Sequence, residues 1–202
     1  GGIDARGPLT IRASHITGNT ATRGGGLIAR ARSELSGTTV SSNTATLQGG
    51  GGINNLQSGE MTIRGGAISG NTAVQGGGIV NAGTLTIQDK ATISGNDSGI
   101  AAPNADKTGG GIRNSGTLRI TDSTVLGNRA GTRGGGLFHV EFAQARIENS
   151  SITGNSAEEI GGGLLNQGLL WFTGGEIAKN SAPTDAGLLN YGTATLTSTE
   201  VP

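Results

Sequence analysis

Eight imperfect copies of one short unit fill this sequence, and a unit of that length can bury apolar surface only by stacking on its neighbours. The unit reads G-G-G-[IL]-x-N-x-G-T-L-T-I, a few variable residues, then S-x-I-x-G-N-x-A. Its clearest copies run from Gly76 to Asn96 and from Gly109 to Asn128. A first apolar anchor falls at Ile3, Leu27, Ile53, Ile79, Ile112, Leu137, Leu164 and Leu188. A second falls at Ile11, Leu35, Ile63, Ile87, Ile120, Ile147, Phe172 and Leu196, and a third at Ile16, Val40, Ile68, Ile93, Val125, Ile152, Ile177 and Val201. Copies lie 24 to 33 residues apart, too close for a propeller blade, and carry no 3.6-residue helical pattern. In T-L-T-I the apolar residues alternate with period two, so Leu85 and Ile87 point inward and Thr84 and Thr86 outward.

One copy therefore makes one coil of an all-β solenoid, with three short strands per coil and a single domain over residues 1–202. The expected architecture is a right-handed parallel β-helix of about eight coils. Coils spaced by about 4.8 Å give a rod of roughly 35–40 Å. This reading also explains the composition. Forty glycines stand beside only three Phe, one Trp and one Tyr, too few large residues for one central core but enough for ladders of Ile and Leu. No Gly-X-Y period is present, which excludes collagen. Regular apolar spacing argues against disorder.

The turns carry a second regularity. Asn19, Asn43, Asn71, Asn96, Asn128, Asn155 and Asn180 share one position, nearly always after Gly. They read as a structural ladder along the rod, with asparagine tolerating left-handed backbone in the turn. A second series, Asn55, Asn81, Asn114, Asn166 and Asn190, is interrupted by Ala5, Ala29 and His139. The Gly triplets (24–26, 76–78, 109–111, 134–136, 161–163) mark a sharp bend with positive φ. None is followed by G-K-[ST], so none reads as a phosphate loop.

The repeated G-G-[GA]-[ILV] with a later x-x-N resembles the passenger repeats of chlamydial polymorphic outer-membrane proteins, which are autotransporters, and many β-helix repeats of bacterial surface proteins. The match covers essentially the whole chain but lacks the phenylalanine of the chlamydial F-x-x-N motif. The resemblance implies the fold and an extracellular or cell-surface setting, and loosely adhesion.

Fourteen basic and fourteen acidic residues cancel without clustering, so no basic stripe marks nucleic-acid binding. No run is apolar and long enough to span a bilayer. Absence of cysteine excludes disulfides and thiolate metal sites. No cofactor or metal is expected. Glycoside hydrolysis needs two placed carboxylates, but the pectin-hydrolase signatures N-T-D, D-D, G-H-G and R-I-K are absent, and the aspartates are scattered singly. The one adjacent acidic pair, Glu158-Glu159, lies in a turn with no His or Lys nearby in sequence. An ice-binding row fails because the outward series Thr10, Glu34, Thr62, Thr86, Arg119, Arg146, Trp171, Thr195 is broken by charge and Trp.

The expectation is a non-catalytic extracellular scaffold, with a carbohydrate-binding or polysaccharide-processing β-helix as the alternative. Partners are itself, the rest of a longer helix, or surface glycans or proteins. Phe138, Arg146 and Trp171 read as an exposed contact surface on adjacent coils. Neither Gly2-Ile3 nor the final T-L-T-S-T-E-V-P looks like a cap. Head-to-tail stacking would then set Ile3, Leu9 and Ile11 against Leu188, Leu196 and Val201 and produce a filament. The longest insertion, 97–108, is a further place for contacts.

Overall fold

A computed structural model describes residues 1–100 and 105–202. The described residues wind through eight coils without a helix; accordingly, no helix is long and apolar enough to cross a membrane. The first strands of the coils run Ile3–Ala5, Leu27–Ala29, Ile53–Asn55, Ile79–Asn81, Ile112–Asn114, Leu137–His139, Leu164–Asn166 and Leu188–Asn190. They form one eight-stranded parallel sheet in coil order. Second strands such as Glu60–Arg64, Thr84–Gln88 and Thr117–Thr121 stack in the same order, as do third strands such as Ala67–Ser69, Thr92–Ser94 and Thr124–Leu126. In coils six and seven the second and third strands run on as Gln144–Thr153 and Leu169–Ala178, which joins those two faces into one sheet.

Register follows the anchors. Ile79 lies between Ile53 and Ile112, Ile87 between Ile63 and Ile120, and Ile93 between Ile68 and Val125. Leu85 and Ile87 are fully buried, as is Phe172 at its anchor, and the core is a set of such columns. The structure adds a fourth short run per coil to the three read from the sequence. Thr20–Arg23 pairs with Thr44–Gln48, Arg129–Ala130 pairs with Ser156–Ala157, and single bridges connect Thr44, Thr72, Asp97 and Arg129. Its cause is the small residue two places after each ladder asparagine. Ala45, Ala73 and Ala130 are buried there, so the chain can lie close against the core.

The corners correct two expectations. Left-handed backbone belongs to the residue before each ladder asparagine, not to the asparagine: Gly18, Gly70, Gly95, Gly127 and Gly154, but also Ser42 and Lys179, have positive φ. Within the Gly triplets only the first residue does (Gly76 at +56°, Gly109 at +65°). The second is required by proximity, because a Cβ on Gly110 would collide with the backbone carbonyls of Arg129 and Gly135.

The asparagines are the main inward polar groups. The Asn96 Oδ1 accepts from the Asn71 backbone N–H at 3.0 Å and from the Asn71 Nδ2 at 2.9 Å. The Asn96 Nδ2 donates to the Ile68 carbonyl and to the Asn128 Oδ1, both at 2.9 Å. The same pattern recurs from Asn43 through Asn155. Each side chain thus closes a backbone group that no strand reaches. The second series works alike: Asn81 Nδ2 donates to the Asn114 Oδ1 at 2.7 Å and to the Thr117 carbonyl at 3.0 Å. Because Ala29 precedes it, Asn55 has a buried Oδ1 with no partner.

His139, which interrupts the second series in sequence, takes over the asparagine role there. Its Nε2 lies 3.2 Å from the Leu169 carbonyl, which can only accept, so Nε2 carries the proton. Nδ1 then accepts from the Asn114 Nδ2 at 3.0 Å. Burial pushes the imidazole pKa below its ordinary 6.5, partly offset by the Leu169 and Ala143 carbonyls.

Asn96→Ala orphans the Asn71 N–H and the Ile68 carbonyl and should destabilise by roughly 1–3 kcal/mol, measured by urea unfolding. Asn19→Ala, whose Oδ1 serves no other asparagine, should cost less. For His139 the unfolded chain takes up the proton first. Its contribution is therefore complete above pH 6.5 and is lost as pH falls below that value. His139→Asn should flatten the acid-side decline of the unfolding midpoint relative to wild type.

Candidate binding surfaces

Outward side chains are sorted by face. On the second-strand face the series from Thr10 through Thr195 is one continuous row, with Arg146 between Arg119 and Trp171. Trp171 is 37% exposed, and Arg146 is solvated beside Glu148, whose closer partner is Arg119 at 2.6 Å. These two residues form the expected surface pair.

Phe138 does not join them. It lies on the first-strand face and is only 4% exposed. The guanidinium groups of Arg113 and Arg133 stand 6.0 and 5.6 Å from its ring centroid. The reason is the segment between the fourth run and the Gly triplet, where Arg133, bridged to Thr108 and Ile160, lies over the outward side of the first strands. An outward position there is roofed rather than open to solvent, so of the three residues only Arg146 and Trp171 are exposed, and the expectation that Phe138 is exposed with them is corrected.

That roof creates a groove of about 360 Å³ along the first-strand face of the early coils. Its floor is the outward row Ile28, Asn54, Val80, Arg113, one residue per coil. Gln48 and Gln75 line the roof side, and Arg30 stands at the near end. Sequence reading missed this groove because its row has no repeating residue type. The charge of Arg30 is already met by Asp4, at 2.7 Å, and the Arg30 guanidinium holds the Asp4 carboxyl below the usual carboxylate range.

A second, more open groove of about 800 Å³ follows the corner between second and third strands in the later coils. Lys90, Asp122, Asn149 and Ser198 turn that corner with positive φ. Glu176 and Glu200, bridge partners on neighbouring coils, stand on its edge. These two carboxylates are far apart in sequence, which hid their adjacency. Among the described residues no three or more His, Cys, Asp or Glu side chains converge as metal ligands. Glu158, from the adjacent acidic pair, is engaged by Arg129, which also reaches Asp97 at 3.2 Å.

The insertion is partly described. Asp97 accepts from the Gly99 N–H, and Asp106 bonds Arg133 at 2.6 Å and Thr132 at 3.2 Å; residues 101–104 lie outside the described residues. Ile3, Leu9 and Ile11 are half-buried in the first coil. In the last coil Leu188 is half-buried, and Leu196 and Val201 are 38% and 42% exposed.

The burial of Phe138 generates a test. Phe138→Ala should destabilise by about 3 kcal/mol, and Trp171→Ala by well under half as much, read from unfolding midpoints.

A family model described as a right handed beta helix region matches residues 2–195. No curated protein and no solved structure matches the chain.

Proposed function

The chain belongs to the right-handed β-helix family, and from that premise we propose that it is a non-catalytic extracellular scaffold, built to hold contact surfaces on a stiff rod at a cell surface. The fold serves enzymes and non-enzymes alike, so the argument rests on sites. The observation that carries the reading is where the repeated polar residues go. The asparagine of every coil from Asn43 to Asn155 points inward and is consumed by backbone and by other asparagines. The outward rows change residue type from coil to coil. What repeats builds the rod, and what varies is left for contacts.

Arg146 with Trp171 offers one such contact, to a glycan or a protein. Part of the same proposal is stacking of Leu188, Leu196 and Val201 on Ile3, Leu9 and Ile11 of a copy, or on further coils of a longer helix. An exposed strand edge is a ready template for such pairing. Negative-stain electron microscopy of the purified protein should show rods longer than roughly 40 Å, the length of eight coils. Uniform single rods at high concentration would contradict self-stacking.

The second reading, polysaccharide processing, is favoured by the Glu176 and Glu200 pair on neighbouring coils of the open groove, which Lys90 and Asp122 line further along. Neighbouring coils hold the two backbones about 4.8 Å apart, and paired carboxylates are the usual equipment for glycoside hydrolysis. Incubation with a panel of polysaccharides should release no new reducing ends. Release that disappears in Glu176→Gln would overturn the scaffold reading in favour of the enzyme.

A further inference from the structure

The turn before the second strand of coil six holds two residues that the rod does not use. His139 and Gln144 stand five positions apart, where their partners Asn114 and Thr117 in coil five stand three apart. The additional pair is Glu141 and Phe142. The Ala143 N–H closes the turn on the Val140 carbonyl at 3.2 Å. Phe142 sits there at φ +64°, a conformation that favours Gly or Asn and is costly for a bulky side chain. It is nevertheless 87% exposed, more than any other large apolar residue among those described. Coil three closes a turn of the same length between Leu56 and Gly59 with polar Gln57 and Ser58. Turn length therefore does not call for an aromatic. A strained residue that holds an apolar ring in water points to a contact that offsets both costs.

Three residues further along the same coil the face is hollow. Thr117, Arg119, Gln144, Arg146 and Trp171 line a pocket of about 320 Å³, room enough for one aromatic ring. Charge is divided in the same way. Arg119 and Arg146 share one carboxylate, Glu148, at 2.6 and 3.4 Å, which leaves one positive charge over. Glu141 is exposed and has no ion pair among the described residues. We propose that this face binds a second copy of the chain about a two-fold axis normal to the sheet, near Ala143 and Gln144. Such an axis exchanges the upstream and downstream ends of the coil. Phe142 of each copy then enters the pocket of the other, and Glu141 meets Arg146, the self-complementarity that an isologous contact requires. A small ligand in the pocket would leave Phe142 in water, whereas a copy covers both at once. The rods lie side by side and antiparallel, and this lateral contact closes at two. The proposal rests on the scaffold reading, in which Arg146 and Trp171 form a contact surface, and names the partner.

Sedimentation velocity over a concentration series tests it. Wild type should show a monomer–dimer step, and Phe142→Ala should raise its dissociation constant at least tenfold. Glu141→Arg and Arg146→Glu should each abolish the step, because each sets like charges together at both contacts. An equimolar mixture of those two variants should restore it, because both contacts then pair opposite charges. Circular dichroism verifies folding of each variant. A monomer at every concentration, an unchanged constant for Phe142→Ala, or a mixture no more dimeric than its components would each overturn the proposal while leaving the scaffold intact. Assemblies that grow identically in wild type and Phe142→Ala would be stacking by the ends alone and would overturn it as well. Dimers that release reducing ends from a polysaccharide would support the contact and overturn the scaffold reading.

Discussion

No coil of this protein can satisfy its own backbone, and the structure depends on that constraint. A strand three residues long, such as Ile79–Asn81, finds its partners only in the coils on either side. Where the chain turns between the third and fourth runs, strand pairing lapses and an asparagine takes over. Its amide is suited to this because it accepts and donates at once. It takes the N–H of the asparagine in the preceding coil and returns a hydrogen bond to a carbonyl of that coil. Because the inner corner is buried, each such bond meets a group that would otherwise be left unpaired. The glycines follow from the same closeness, as backbones stacked one coil apart leave no volume for a Cβ at Gly110.

Most of the fold is legible in the residues because it is periodic. Every apolar anchor read from the repeat except Val201, which follows the last strand, pairs in register with its counterparts, including the exceptional Phe172, because stacking allows one register only. The asparagine ladder was legible for the same reason. What escaped was everything set by the path between anchors. Positive φ at Ser42 and Lys179 could not be read from residue type, since neither is glycine. The fourth run left only a small residue two places after the asparagine as its trace. The path from that run to the next Gly triplet left no trace either, so Phe138 reads as exposed although Arg133 returns to cover it.

The candidate sites were harder to read for a related reason. Residues that share a face are about 25 positions apart, and outward rows carry no consensus. Asn54, Val80 and Arg113 become neighbours only once the coils are stacked. The same is true of Glu176 and Glu200. His139 is an intermediate case. Its place in the second asparagine series was visible, but its equivalence to asparagine required the two ring nitrogens to be located, one on Asn114 and the other on the Leu169 carbonyl. A rod made this way separates inside from outside. The inner residues are tightly specified by stacking, and the outer ones are free to differ, which is what a carrier of contact surfaces needs.

The central claim is that asparagine side chains hold the inner corner as firmly as strand pairing holds the faces. Residue-resolved amide hydrogen exchange on the native protein tests it most directly. The backbone N–H groups of Asn43, Asn71, Asn96 and Asn128, whose acceptors are side-chain oxygens, should exchange as slowly as those of the strand anchors Ile63 and Ile87. Exchange at the fast rate of an open turn, with the strand anchors still protected, would contradict it.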